Sequence, residues 1–167
     1  MKLTLLLSLL FAIIPSGTLV AQDPELELKP VAEYVPAMME GDDLPAAQHV
    51  FRRCGGLFII IALQMRERAE AGNDDSLAGA VRYLRWVEGF TLAASTLDPL
   101  FEQRQDEVIE RTRGAISDLA EILKKRMDQN LLMSGELWAQ DTLIRSDMEV
   151  CAAIAGSLFE QGQAPHE

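Results

Sequence analysis

Residues 50–65 read VFRRCGGLFIIIALQM, and whether this run is a helix or a buried strand decides what kind of protein the chain makes. Taken alone, the apolar stretch from Leu57 to Leu63 fits a strand buried on both faces. Over the wider window, Val50, Cys54, Leu57, Phe58, Ile61, Ala62 and Met65 recur at steps of three and four, the repeat of one helix face. The same spacing continues on both flanks, so the stretch is predicted as a helix. Ile59, Ile60 and Leu63 widen its apolar face, which puts it at the centre of the fold.

Outward from this segment the boundaries are marked. Asp43-Leu44-Pro45 offers an acidic cap and a proline in the first turn, and Gly72-Asn73 ends the helix near Ala71. A second helix is predicted from Asp75 or Ser76 to about Ser95. It carries Leu77, Val81, Leu84, Val87 and Thr91 along one line and Tyr83, Trp86 and Phe90 along another. Ser95-Thr96-Leu97-Asp98-Pro99 repeats the cap-and-proline signal, so a third helix should follow almost at once and run to about Leu132. Its inward line is Phe101, Val108, Ile116, Leu119, Ile122, Leu123 and Met127, with Gly114 marking a bend. A last helix is predicted from about Asp141 to Gln161, with Ile144, Met148, Cys151, Ile154, Ala155 and Leu158 turned inward. Residues 162–167 read as a frayed tail.

Ahead of the helices, Met1-Lys2 precedes an apolar run from Leu3 to Ile14, broken only by Thr4 and Ser8. Pro15-Ser16-Gly17 and a small residue, Ala21, come next. That layout is a secretory signal peptide over residues 1–21; a membrane-spanning anchor would need roughly 20 apolar residues. No transmembrane segment is expected after cleavage. Residues 22–43, acidic and carrying Pro24, Pro30 and Pro36, read as an irregular arm with one short helical turn around Val35 to Glu40. Residues 44–161 then form a single helical domain.

The whole chain has 15 basic and 26 acidic side chains, a formal charge of −11. Loss of the leader removes one base, Lys2, and takes the charge to −12. Such a balance argues against nucleic acid and anionic membrane surfaces, both of which select basic patches. Both cysteines lie in the exported part, where thiols oxidise, so Cys54 and Cys151 are expected to form one disulfide. Closing a loop of about a hundred residues in this way stabilises a fold by roughly 4 to 5 kcal/mol in the chain-entropy model. Short connections favour an antiparallel four-helix bundle in which first and last helices are neighbours. In that arrangement Cys54 and Cys151 lie at matching depths, so bundle and bridge support each other.

Reactive chemistry is sparse. The only histidines are His49 and His166, and a cysteine in a disulfide cannot ligate a metal, so no metal or cofactor is expected. Gly-x-Ser-x-Gly is absent, and Gly55-Gly56 lacks the Lys-Ser/Thr of a nucleotide loop. Those glycines are better explained by close approach of a neighbouring helix. Asp147, one turn before Cys151, is expected to pair with a cation, and Arg53 (or Arg52) beside Cys54 is in reach if the disulfide forms. Tyr83, Trp86 and Phe90 form a core stripe or line a pocket. Glu102, Asp106, Glu107, Glu110, Asp118 and Glu121 give the third helix an acidic face suited to a basic partner.

These features point to a periplasmic or secreted protein that binds another protein, as an inhibitor, immunity-type factor, chaperone or assembly accessory, and not to an enzyme. Two other readings stay open. One is a carrier of a small hydrophobic ligand held in the bundle; the other is a hydrolase built on paired carboxylates.

Overall fold

The computed structural model describes residues 28–41, 43–73, 75–138 and 141–160. The expected signal peptide, the first residues of the arm and the expected tail lie outside these described residues.

The stretch that decided the fold is helical. It belongs to α2, Leu44–Glu70, whose first turn is capped as expected: the Asp43 carboxylate accepts from the Ala46 N–H at 2.9 Å, and Pro45 occupies a position that needs no amide donor. At the other end Gly72 adopts φ +97°, a left-handed conformation open to glycine, and the Asn73 N–H donates back to the Arg68 carbonyl. Three further long helices follow: α3 (Asp75–Thr96), α4 (Gln105–Ser134) and α5 (Thr142–Ala155), the last continuing as one π-helical turn over Gly156–Glu160. Before α2 come a 3-10 turn, Val31–Glu33, and the short α1, Val35–Glu40, which falls where the arm's single helical turn was expected.

One boundary differs from the sequence reading. The third helix does not start at Pro99, because residues 97–104 form successive turns. The Asp98 carboxylate there accepts from the Leu100 N–H and pairs with Arg111, so it stays in the turn and does not cap a helix. Once begun, α4 is helical through Gly114.

The all-α, disulfide-linked bundle expected from the sequence is what forms, but its plan is centred on one helix. α2 is a hub that packs against α3, α4, α5 and α1. In a square up-and-down bundle the first and third long helices would be diagonal. Here they touch, because Gly55 and Gly56 remove the side chains that would hold α4 away. A Cβ on Gly55 would lie 3.1 Å from Ile116 Cδ1, and one on Gly56 would lie 3.0 Å from the Ala120 amide nitrogen and 3.1 Å from the Ile116 carbonyl oxygen. The glycines therefore do what the sequence suggested, admitting a neighbouring backbone.

Gly56→Ala is accordingly expected to lose about 1–3 kcal/mol, since a methyl would meet backbone that cannot turn aside. Gly114 has open space around it, so Gly114→Ala should gain about 0.5–1 kcal/mol from helix propensity alone. Urea unfolding of the two variants checks both signs; equal shifts would mean the α2–α4 approach is looser than described.

α3 packs through the aromatic one of its two apolar lines, the core stripe anticipated from Tyr83, Trp86 and Phe90. It turns its aromatic line, which buries the larger area per residue, onto α2, and this leaves Leu77, Val81 and Leu84 on the surface at 55%, 44% and 50% exposure. In α5 the inward line holds through Ile144, Cys151 and Ala155, whereas Leu158 in the π turn is exposed.

Candidate functional site

Two regions concentrate the chemistry of the molecule. The first joins α5 and the N-terminal arm to α2. Cys54 and Cys151 are bonded, with Cα atoms 5.2 Å apart. One residue before Cys54 and one turn before Cys151, Arg53 and Asp147 form the predicted ion pair: Arg53 Nε donates to Asp147 Oδ2 at 2.8 Å and Nη2 approaches the same oxygen at 2.7 Å. Both side chains are entirely buried. The remaining oxygen, Oδ1, accepts from the Val31 backbone N–H at 2.8 Å. One carboxylate thus fastens three segments, and the arm, expected to be irregular, is pinned at a fully buried Val31.

Burial pushes the Asp147 carboxyl above its ordinary range, against the opposing pull of Arg53 and the Val31 amide. It has no solvent access, and its partners are Arg53 and the Val31 amide, the cation pairing anticipated from its place beside Cys151. Nearby, His49 lies against the Tyr34 ring at 4.5 Å, and burial followed by the charges of Arg53 and Arg52 lowers its pKa.

Asp141 is a second buried acid whose several partners the sequence did not reveal. It caps α5 by accepting from Leu143 N–H at 3.0 Å and Ile144 N–H at 3.2 Å. It also takes Arg126 Nε at 2.5 Å and Asn130 Nδ2 at 2.8 Å, both from α4. Burial by itself would raise its pKa, but Arg126, Asn130 and the helix amide together hold it below the ordinary 3.8. A carboxyl depressed on folding adds stability that is complete above its unfolded pKa and is lost as pH falls through its folded pKa. Asp141→Asn keeps a good cap but loses the charge. It should cost about 1 kcal/mol at neutral pH, where Arg126 is partly solvated, and should flatten the acid limb of a stability–pH curve below about pH 4. Parallel acid limbs for the variant and the parent would refute this.

Tyr83, Trp86 and Phe90 join the core. Their ring centroids lie 5.4, 4.9 and 5.8 Å from that of Phe58 on α2, and Arg82 stacks 5.4 Å from both Tyr83 and Trp86.

The second region is a groove of about 550 Å³ between α3 and α4, with Ile59 of α2 at its base. Leu84, Val87 and Leu92 line it from α3, and Ile109 and Ile116 from α4. Two smaller depressions continue from it along α2 and α4, the nearer sharing Ile59 and Ser117 with the groove and the farther sharing Leu63 with the nearer and reaching Leu131. α3 and α4 each pack more extensively on α2 than on each other, which leaves the space between them open. Leu77 and Val81 continue the line of Leu84 along α3 at helical spacing. Of the candidate site residues singled out in the sequence, Glu121 borders the nearer depression, while Tyr83, Trp86, Phe90, Arg53 and Asp147 lie elsewhere. The periodicity did mark Leu77, Val81 and Leu84 as an apolar line, but periodicity cannot tell a line that meets a neighbour from one left uncovered.

Compared with known protein families, curated proteins and solved structures, the chain matches none.

Proposed function

We propose that this protein is exported and, without catalysing a reaction, binds another protein through the groove between α3 and α4. The observation that carries the reading is the uncovered apolar surface there: Leu84 and Leu92 are each 50% exposed above a base formed by Ile59, and Leu63, 40% exposed, lines the adjoining depression. Rows of large apolar side chains left in water on a folded domain mark surfaces that another molecule covers. Export is supported by the leader-like run Leu3–Ile14 and by the disulfide, which persists in oxidising compartments. The carrier reading has less support, because Tyr83, Trp86 and Phe90, its intended lining, pack on Phe58 and are spent on the core.

The test is photo-crosslinking in the native exported fraction. A crosslinking amino acid at Leu84 should yield one discrete protein adduct, and the same group at Met39, on α1 and 74% exposed, should not. No adduct from Leu84, or the same adducts from both positions, would overturn the reading.

A further inference from the structure

The chemistry of the groove also narrows what can occupy it, given that it is the binding surface. Every long element around it is a helix, and the backbone amides of a helix interior are already spent on its own carbonyls. An extended peptide laid in the groove would find no strand edge with which to pair, and its own amides would lie against Ile59, Leu84 and Ile116 without partners. An occupant that satisfies its backbone internally, a helix, avoids that cost. A helix with apolar residues at i, i+3 or i+4 and i+7 presents the stripe that this surface matches.

Charge sets the rest of the occupant. The charged residues lining the groove and its extensions are Glu67, Glu88, Glu121, Asp128, Arg113 and Lys124. Both cations are already engaged within α4, Arg113 with Glu110 and Lys124 with Asp128. Glu67, Glu88 and Glu121 are exposed and take part in no ion pair among the described residues. The surface offered to a partner is therefore apolar along the middle and acidic along its borders, on a chain of net charge −11. A second copy of this chain would bring the same uncompensated acids to the interface.

We infer that the groove receives a cationic amphipathic α-helix of a partner protein, its apolar stripe on Ile59, Leu84 and Leu92 and its flanking Lys or Arg side chains beside Glu67, Glu88 and Glu121. This helix-in-groove mode draws its affinity from the apolar stripe and its orientation and association rate from the acids.

The probe is an 18-residue designed peptide with leucines at helical spacing and lysines on the remaining face, compared with a peptide in which glutamates replace the lysines. Binding is read by fluorescence anisotropy and induced helicity by circular dichroism. The lysine peptide should bind and become helical, and the glutamate peptide should not. Glu88→Lys with Glu121→Lys should weaken binding at least tenfold. The matched change Glu102→Lys with Asp106→Lys, exposed acids that do not line the groove, should weaken it less than twofold, and Leu84→Asn should weaken it at unchanged charge. Equal effects of the two charge pairs would reduce the attraction to bulk acidity and overturn the inference. Concentration-dependent dimerisation in sedimentation that Leu84→Asn abolishes would also overturn it, because the occupant would then be a second copy. Failure of the lysine peptide alongside a discrete Leu84 crosslink would refute the cationic helix while leaving protein binding standing; failure of both would remove the binding reading itself.

Discussion

Asp147→Ala is expected to destabilise the protein by about 3–5 kcal/mol, the range for removing one member of a buried ion pair. The loss has two sources. Arg53, wholly buried, would keep its charge with no counter-ion in hydrogen-bonding contact, and the Val31 N–H would lose its acceptor. Against a total stability of about 5–15 kcal/mol for a domain, this change alone brings the fold near its threshold. Replacing both partners with apolar residues of similar size, Arg53→Met with Asp147→Leu, removes the stranded charge and leaves only the Val31 amide unsatisfied, a cost of about 1–3 kcal/mol. The double variant should therefore melt above the single one. Urea midpoints of the parent, Asp147→Ala and the double variant decide the matter: a single-variant cost below about 1 kcal/mol would mean the pair is not sealed from water as described. Because Asp147 also holds the arm, limited proteolysis of Asp147→Ala should open cleavage within residues 28–41 before the helices are cut.

Loss of the disulfide should have a comparable effect, distributed differently. The bridge spans 97 positions, and the chain-entropy model gives about 4–5 kcal/mol for a loop of this length. α5 packs on α2 far less extensively than α3 does, so the covalent link carries a large share of the attachment. In Cys54→Ala with Cys151→Ala, hydrogen exchange should quicken first in α5 and around Val31–Glu33, while α2, α3 and α4 keep their protection. Uniform loss of protection over all helices would contradict the hub arrangement. The cysteine and Asp147 changes should also fail to add, because both bonds fasten the same two helices within one turn.

Where the sequence was legible, one physical rule acted without competition. α2 declared itself through periodicity, its Asp43 cap and Gly72. The Cys54–Cys151 bridge followed from cysteine parity with helix register, and Arg53–Asp147 followed from the bridge. What stayed hidden depended on competition between equally good signals. Leu77, Val81 and Leu84 made as regular a line as Tyr83, Trp86 and Phe90, and only the packing partner decides which is buried. Pro99 imitated a helix start, but the Asp98 carboxylate is held within the turn by Leu100 and Arg111. The arm's three prolines predict irregular backbone but say nothing of its anchorage, which is a single amide meeting a carboxylate far along the chain, a contact with no local signature. The groove was invisible for a related reason, since a sequence records which residues are apolar and not which faces find no neighbour.

The Val31–Asp147 hydrogen bond joins residues 116 positions apart, and this sets a timetable for assembly. The Val31 amide must wait for a segment synthesised much later in the chain before it has a buried acceptor. α2 and α3 are adjacent in the chain and can collapse together early, as local contacts do. The arm cannot dock, nor the cysteines face one another, until α5 has emerged. A chain lacking α5 would leave the Val31 amide and Cys54 without their partners, so the arm and the bridge both depend on the last of the described helices.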